Sequence, residues 1–453
     1  MRMWQAAFAS GVSQHKSDKK RSESADWSFR GGDSHGAESG VDDDVRALQC
    51  SSVLPNSLPM RRQAHIDFDD TSVAFRACSN FELERARLLF KAFEFPWIVA
   101  YGPGIAAKAM DFHVPLAPLV RHTLFAQFCG GGTLEDCAKK VTDLSRSGVR
   151  SILDYSVEGL GREQDFDATR DEILKSIAVA GGDKRIPFAV FKMTGLAPFG
   201  LLEKVSAGAS LTPQEKSAWE RSKARFRALT DAAVVHGTRV LVDAEETWIQ
   251  KAIDDLVHDA MARLNGNRPV VYNTVQMYRV ERLPYLETLY EMGRTQGFIP
   301  GVKLVRGAYM EKERARAARL GVPSPIQPDK ESTDRDYNKA LEFLVDHVEK
   351  FALFAGTHNE ASCRLLVDLM DRKSLERDHP HVEFSQLLGM SDNVTFNLAH
   401  HGYNAAKYMP YGPVRAVMPY LGRRAAENSA IRGQAGRELQ MIERELKRRR
   451  KGK

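Results

Sequence analysis

From Val149 onward the chain repeats one pattern eight times: a short apolar run rich in β-branched and aromatic residues, closed by a polar residue. The runs are VRSILDYSVE, PFAVFKMTG, TRVLVDAEE, RPVVYNTVQMY, GVKLVRGAY, FALFAGTHNE, VEFSQLLGM and NAAKYMPYGP, and amphipathic stretches separate most of them. Near-continuous apolar runs suit strands buried on both faces, and a helical crossover between consecutive strands is what parallel pairing requires. The expected fold is therefore α/β, a (β/α)8 TIM-like barrel over residues 149–435. Barrel enzymes build their sites at the C-terminal ends of the strands, which makes the run-ending residues Asp154, Lys192, Asp243, Gln276, Arg306 and His358 candidates as a set. Any one of them alone would read as a solvated strand end or a helix cap; their recurrence is the signal.

The flanks read differently. Residues 1–65 are rich in Ser, Gly, Asp and Lys without a sustained apolar period, so a disordered leader is expected. Its first 17 residues contain no acid, and Trp4, Phe8 and Val12 share a helix face beside Arg2 and Lys16, which resembles a mitochondrial transit peptide; an uncleaved flexible tail is the alternative. Residues 66–148 are helix-periodic, with FELERARLLFKAF and a segment capped by Thr133 and Asp136, and are expected to form an N-terminal helical arm. A charged helical segment at about 201–235, capped at Thr212 and Pro213, reads as a peripheral insertion. The Pro-rich stretch RARAARLGVPSPIQPDKEST after the fifth run is either a lid or a surface connection.

Several function classes are excluded or weakened. No apolar run approaches 18 residues, so a membrane-spanning helix is not expected. The net charge is +6, but 65 basic residues are spread among 59 acids, and only ERELKRRRKGK, within the 436–453 tail, is a basic block. That tail is expected to be a solvated, frayed helix end, with attraction to anionic lipid as the minority option and no nucleic-acid partner. A catalytically silent barrel binding nucleic acid or membrane through this tail is the reading from a different class. Five scattered cysteines without a CxxC pair argue for a reducing compartment and against a structural zinc, and no metal is expected. No GxGxxG follows a strand.

The last block, KYMPYGPVRAVMPYLGRRAAENSA, carries the sharpest constellation. On a helix, Tyr420, Arg423, Arg424 and Glu427 fall at i, i+3, i+4 and i+7 and share one face, as a salt-bridge ladder or as an anion site. With LDYSVE, FKMTG, VLVDAEE, VYNTVQMY, KLVRGAYMEKERARA, the PxPIxP loop, GTHNE, FSQLLGM and YMPYGP in the same order, this block resembles the proline dehydrogenase family, chiefly its eukaryotic monofunctional branch, over roughly residues 66–432.

The resemblance implies FAD at the C-terminal face of the barrel and L-proline above it. It implies that Arg423 and Arg424 grip the carboxylate, supported by Lys192 and oriented by Asp243, since a carboxylate leaving water needs charge-assisted partners. Tyr408, Tyr420 and Leu387 would wall the pyrrolidine ring, and Glu158 would be the gate residue over bound substrate. For the cofactor it implies Gln276 at the isoalloxazine, Lys303 and Arg306 at the ring nitrogen region and phosphates, and Gly307 and Ala308 at a close backbone approach. Thr357, His358 and Asn359 would meet the pyrophosphate and adenosine side, and Glu427 the ribityl chain. Bacterial members commonly carry Arg then Lys around this strand, whereas KLVRG has Lys303 then Arg306, which removes a planar guanidinium from the first position. The implied reaction is hydride transfer from proline to flavin, giving Δ1-pyrroline-5-carboxylate, with a membrane quinone as acceptor and a peripheral place on the matrix side of the mitochondrial inner membrane. The hydroxyproline-oxidising branch shares most of these motifs; Tyr408, where that branch has a small residue, argues for proline.

Overall fold

A computed structural model describes residues 66–95, 117–157, 161–430 and 434–452, and for 117, 427–430, 434 and 435 it describes the backbone alone. The leader expected over 1–65 lies outside the described residues. Eight strands, β1 (Arg150–Tyr155), β2 (Phe188–Lys192), β3 (Arg239–Asp243), β4 (Val271–Gln276), β5 (Gly301–Val305), β6 (Ala352–Gly356), β7 (Val382–Leu387) and β8 (Ala405–Tyr411), pair in sequence order. All pairs are parallel, and β8 returns to β1 with Ile152 beside Tyr408 and Asp154 beside Pro410, which closes the barrel.

Alternation along each strand sorts residues between barrel interior and helix layer. The interior is filled by Ile152, Phe188, Val190, Leu241, Tyr272, Phe354 and Ala406. Phe188 meets Tyr272 and Phe354 edge-on at 5.1 and 5.2 Å, and Gly301 leaves room for the Tyr272 ring, since a Cβ there would stand 2.7 Å from it. One or two steps further along the same inward rows come Asp154, Lys192, Asp243, Gln276, Lys303, Leu387 and Tyr408. The apolar plug below and the polar layer above are thus one period-2 pattern read in two halves.

Four regions depart from expectation. The segment near 201–235 is not peripheral. It holds α1 (Phe199–Ser206) and α2 (Pro213–Val235), and α2 is the crossover helix between β2 and β3, burying Phe226, Leu229 and Ala233 in the main core. Its buried Arg225 is held by Glu163 and, at 2.8 Å, by Asp167, so the charge pattern that reads as solvent-facing is partly internal. The stretch after β5 forms a helix (Met310–Leu320) and then a pinned connection: Val280 N–H donates to Pro325 O at 3.1 Å and Gln327 N–H to Tyr278 O at 2.6 Å.

The basic tail is not a frayed end. It forms α3 (Gln434–Lys451), whose Leu439, Ile442 and Leu446 pack with Leu83, Ala86 and Phe90 of the arm helix α4 (Asn80–Phe93). Arg449 donates to the carbonyls of Phe75 and Cys78, each at 2.8 Å, and Arg450 pairs with Glu84 at 2.8 Å. The charge count of the tail hides its apolar stripe, which is why composition misreads it. The helix Leu134–Ser145, expected in the arm, packs directly on the barrel through Cys137, Val141 and Leu144 against Leu153, Met409 and Tyr411. Among the described residues no helix is long and apolar enough to cross a membrane.

Candidate active site

Asp243 is the hub of the barrel mouth. Its Oδ1 accepts from Lys303 Nζ at 2.5 Å, its Oδ2 accepts from the Tyr408 hydroxyl at 2.9 Å, and Lys192 Nζ stands 3.3 Å from Oδ2. Lys303 also lies 4.4 Å from the centre of the Tyr408 ring. Burial alone would raise the Asp243 carboxyl, but Lys303 and Lys192 outweigh it and hold its pKa below the usual carboxylate value. Asp154 goes the other way: burial, joined by the negative charge of Asp243, raises it against the pull of Lys192. Burial and these two carboxylates push the Tyr408 phenol well up, so it stays a neutral donor.

The closing helix α5 (Met418–Ala430) brings Tyr420 and Arg424 to this region. Both are buried, Arg424 being 8% exposed with its guanidinium carbon 5.1 Å from the Tyr420 ring centre. Arg423 is exposed, so the four-residue stripe is split between its two arginines. The side chain of Glu427 and the whole of Glu158 lie outside the described residues. Leu387 is half-buried and packs against the interior cluster containing Tyr408.

A second row runs from β4 to β6. The Gln276 amide donates to Glu245 O at 2.8 Å and accepts from Ala308 N–H at 3.3 Å, which fixes which end of the amide faces the loop. Gly307 has φ +133°, and a Cβ there would stand 2.5 Å from the Tyr278 ring, so the backbone at this point must be bare. Arg306 is held by Asp334 at 2.6 Å, Thr357 Oγ1 at 2.7 Å and Ser362 Oγ at 3.0 Å, over the Tyr337 ring. Asn359 caps the next helix, accepting from Ser362 N–H at 3.0 Å, while its own N–H donates to Thr357 Oγ1. His358 Nδ1 is 3.0 Å from Ser391 Oγ, and its Nε2 accepts from Leu387 N–H at 3.5 Å, which assigns the ring proton to Nδ1. Burial, then Lys407 and Arg424, push its pKa down to about 3, so the ring is neutral.

Sequence reading passed over Glu245, two residues beyond Asp243. It is buried, accepts from Thr194 N–H at 3.0 Å and Thr194 Oγ1 at 2.5 Å, and burial raises it to about 7. The acidic pair in VLVDAEE was the available signal. Among the described residues no group of three or more His, Cys, Asp or Glu could hold a metal ion. Arg306, Lys303 and the neutral His358 gather cationic and hydrogen-bonding groups at neighbouring strand ends, a donor set suited to an anionic ligand.

A family model described as proline dehydrogenase matches residues 137–437. The chain is similar to the "Carbapenem antibiotics biosynthesis protein CarD" of Pectobacterium carotovorum subsp. carotovorum, 36% identical over 71% of this chain and 83% of that one. It is 31% identical to "Proline dehydrogenase 1, mitochondrial" of Dictyostelium discoideum, covering 74% of this chain and 66% of the relative. It is 30% identical to the "Hydroxyproline dehydrogenase" of Xenopus laevis, covering 88% and 94%. Among solved structures, proline utilization A (PutA) from Bdellovibrio bacteriovorus superposes with a TM-score of 0.63 at 18% identity, covering 79% of this chain, and this chain spans 38% of that one. At that identity the likeness concerns the fold alone.

Proposed function

The chain belongs to the proline dehydrogenase family of oxidoreductases, and on that premise we propose that it oxidises L-proline to Δ1-pyrroline-5-carboxylate with FAD as cofactor. The observation that carries this reading is the buried Lys303–Asp243 pair capped by Tyr408, with half-buried Lys192 beside it, in the same barrel mouth as the buried Arg424. A bound flavin would supply the two-electron hydride acceptor. Proline loses hydride from the ring carbon next to nitrogen and a proton from nitrogen, so a C=N bond forms.

The protein's own contribution is placement. Arg424, and Arg423 from the exposed side, bind the substrate carboxylate, and Lys192 adds a third cation while Asp243 limits repulsion among them. Tyr408, Tyr420 and Leu387 wall the ring. Gln276, Lys303, Arg306, Gly307, Ala308, Thr357, His358, Asn359 and Glu427 would hold the cofactor; Arg306 is kept ready by Asp334 and Thr357, and Lys303 by Asp243. The acceptor for reduced flavin is a membrane quinone, with the protein at the matrix side of the mitochondrial inner membrane. The mitochondrial name of the Dictyostelium relative supports the organelle.

A second reading, hydroxyproline oxidation, is favoured by the Xenopus relative. Tyr408 opposes it, because its hydroxyl is committed to Asp243 and its ring fills space a ring hydroxyl would need. Purified protein should absorb as an oxidised flavin and bleach anaerobically on addition of L-proline. A preparation that takes up no flavin, or stays yellow with proline and bleaches with hydroxyproline, overturns the assignment.

A further inference from the structure

Ser391 is one of two non-glycine residues with positive φ among the described residues, at φ 50° and ψ 45°, directly before the helix Asp392–His400. Glycine is the usual occupant of such a left-handed position because it has no Cβ to clash. A serine there makes sense when its side chain does something a glycine cannot. Here the hydroxyl sits 3.0 Å from His358 Nδ1, at the barrel mouth.

The left-handed turn also aims the Ser391 N–H at a partner from a distant part of the chain. It donates to Oε1 of Glu438, a carboxylate on α3 that is only 7% exposed. The rest of the loop is fastened from other sides. Fully buried Lys407 donates to Met390 O at 2.5 Å and pairs with Asp392 at 2.7 Å, and Gln127 Nε2 donates to Gly389 O at 3.1 Å. Next to Glu438, Arg437 pairs with Glu360 at 2.5 Å, and Glu360 accepts from Asn393 Nδ2 at 2.9 Å.

We propose that the C-terminal helix is a working part of the flavin site: Glu438 holds Ser391 in its left-handed turn, and Ser391 in turn fixes the imidazole of His358. Glu438 is a positioning residue; it touches neither substrate nor cofactor and acts through two intervening groups. The inference rests on the placement of His358 against FAD proposed above. It explains why α3 is anchored so firmly through Arg449 and its apolar stripe: a loose helix could not hold a buried carboxylate against a strained backbone N–H.

The test uses the flavin-loaded enzyme and follows release of FAD on dilution by the recovery of flavin fluorescence, beside thermal unfolding and proline KM. Glu438→Leu, which loses the acceptor, should release FAD about tenfold faster, the effect of one lost buried hydrogen bond, while Glu438→Gln, which keeps an acceptor oxygen, should stay near wild type. In a His358→Ala background the Glu438→Leu effect should vanish. Should Glu438→Leu not fold, Ser391→Gly serves: glycine accepts the turn without strain but lacks the hydroxyl, so FAD release should quicken while the melting temperature holds or rises. A purely structural role would move both together. Unchanged FAD release in a folded Glu438→Leu or Ser391→Gly enzyme, or an undiminished Glu438→Leu effect without His358, overturns the clamp. A wild-type enzyme that holds no flavin overturns instead the reading on which it rests, and the clamp with it.

Discussion

Lys303 of β5 and Asp243 of β3 meet inside the barrel, Nζ 2.5 Å from Oδ1, although a whole strand, β4, lies between theirs. The two side chains are 9% and 13% exposed, so neither charge can turn to water if the other is removed. Breaking such a pair from one side leaves a stranded charge, and typical costs are about 3–5 kcal/mol.

Asp243→Asn keeps the shape and strands Lys303 beside Lys192. Its unfolding free energy in urea should fall by about 3–5 kcal/mol, and proline turnover should fall at least about a hundredfold with the loss of the orienting charge. Adding Lys303→Met should restore part of the stability and none of the activity. A single variant as stable as the parent would remove Asp243 from the centre of the site.

The two arginines of α5 should not be equivalent. Arg424 is buried and Arg423 exposed, and a charge-assisted contact strengthens as water is excluded. Arg424→Ala is expected to raise proline KM by about two to three orders of magnitude with flavin retained, since lost charged contacts to a desolvated carboxylate cost about 3–4 kcal/mol. Arg423→Ala should cost at least tenfold less by the same reasoning. Steady-state kinetics on flavin-matched preparations decide it; equal effects would contradict the burial difference.

Tyr408→Ser opens the wall and removes the hydroxyl that donates to Asp243. The ratio of kcat/KM for hydroxyproline over proline should rise by about tenfold or more, the scale on which pocket volume discriminates substrates. Tyr408→Phe keeps the volume and should leave that ratio unchanged while lowering kcat. A ratio untouched by the serine variant would show that the ring is walled elsewhere.

Glu245 gives a pH signature. Burial raises its carboxyl to about 7 from 4.5, so the folded chain keeps a proton that the unfolded chain gives up. The folded state is therefore favoured at low pH, and this contribution is lost progressively as pH rises from about 4.5 to about 7, then stays flat. Glu245→Gln cannot titrate, so its melting temperature relative to wild type should climb across that window and level off above it. Parallel melting curves from pH 4.5 to 8 would mean that Glu245 ionises normally.

The barrel itself was legible in the chain. Eight apolar runs of strand length are a local property, set by how many consecutive residues must avoid water, and all eight became strands. The strand-end rule found Asp154, Lys192, Asp243 and Gln276 because inward-facing residues recur every second position. Arg225 and the basic helix Gln434–Lys451 misled for the converse reason, since charge in a sequence carries no label saying whether a partner will be waiting.

What only the tertiary structure decided are relations between residues far apart in the chain. Lys303 lies mid-strand and was picked out by resemblance alone; its pairing with Asp243, 60 residues earlier, appears once the sheet has closed. Glu438 bonds Ser391 across 47 residues, and Ser391 meets His358 across 33. Spacing along a strand or helix determines which face a side chain takes. Which distant face it meets, and hence whether its charge is raised, lowered or neutralised, is settled by packing of the whole core, where burial and neighbours act together.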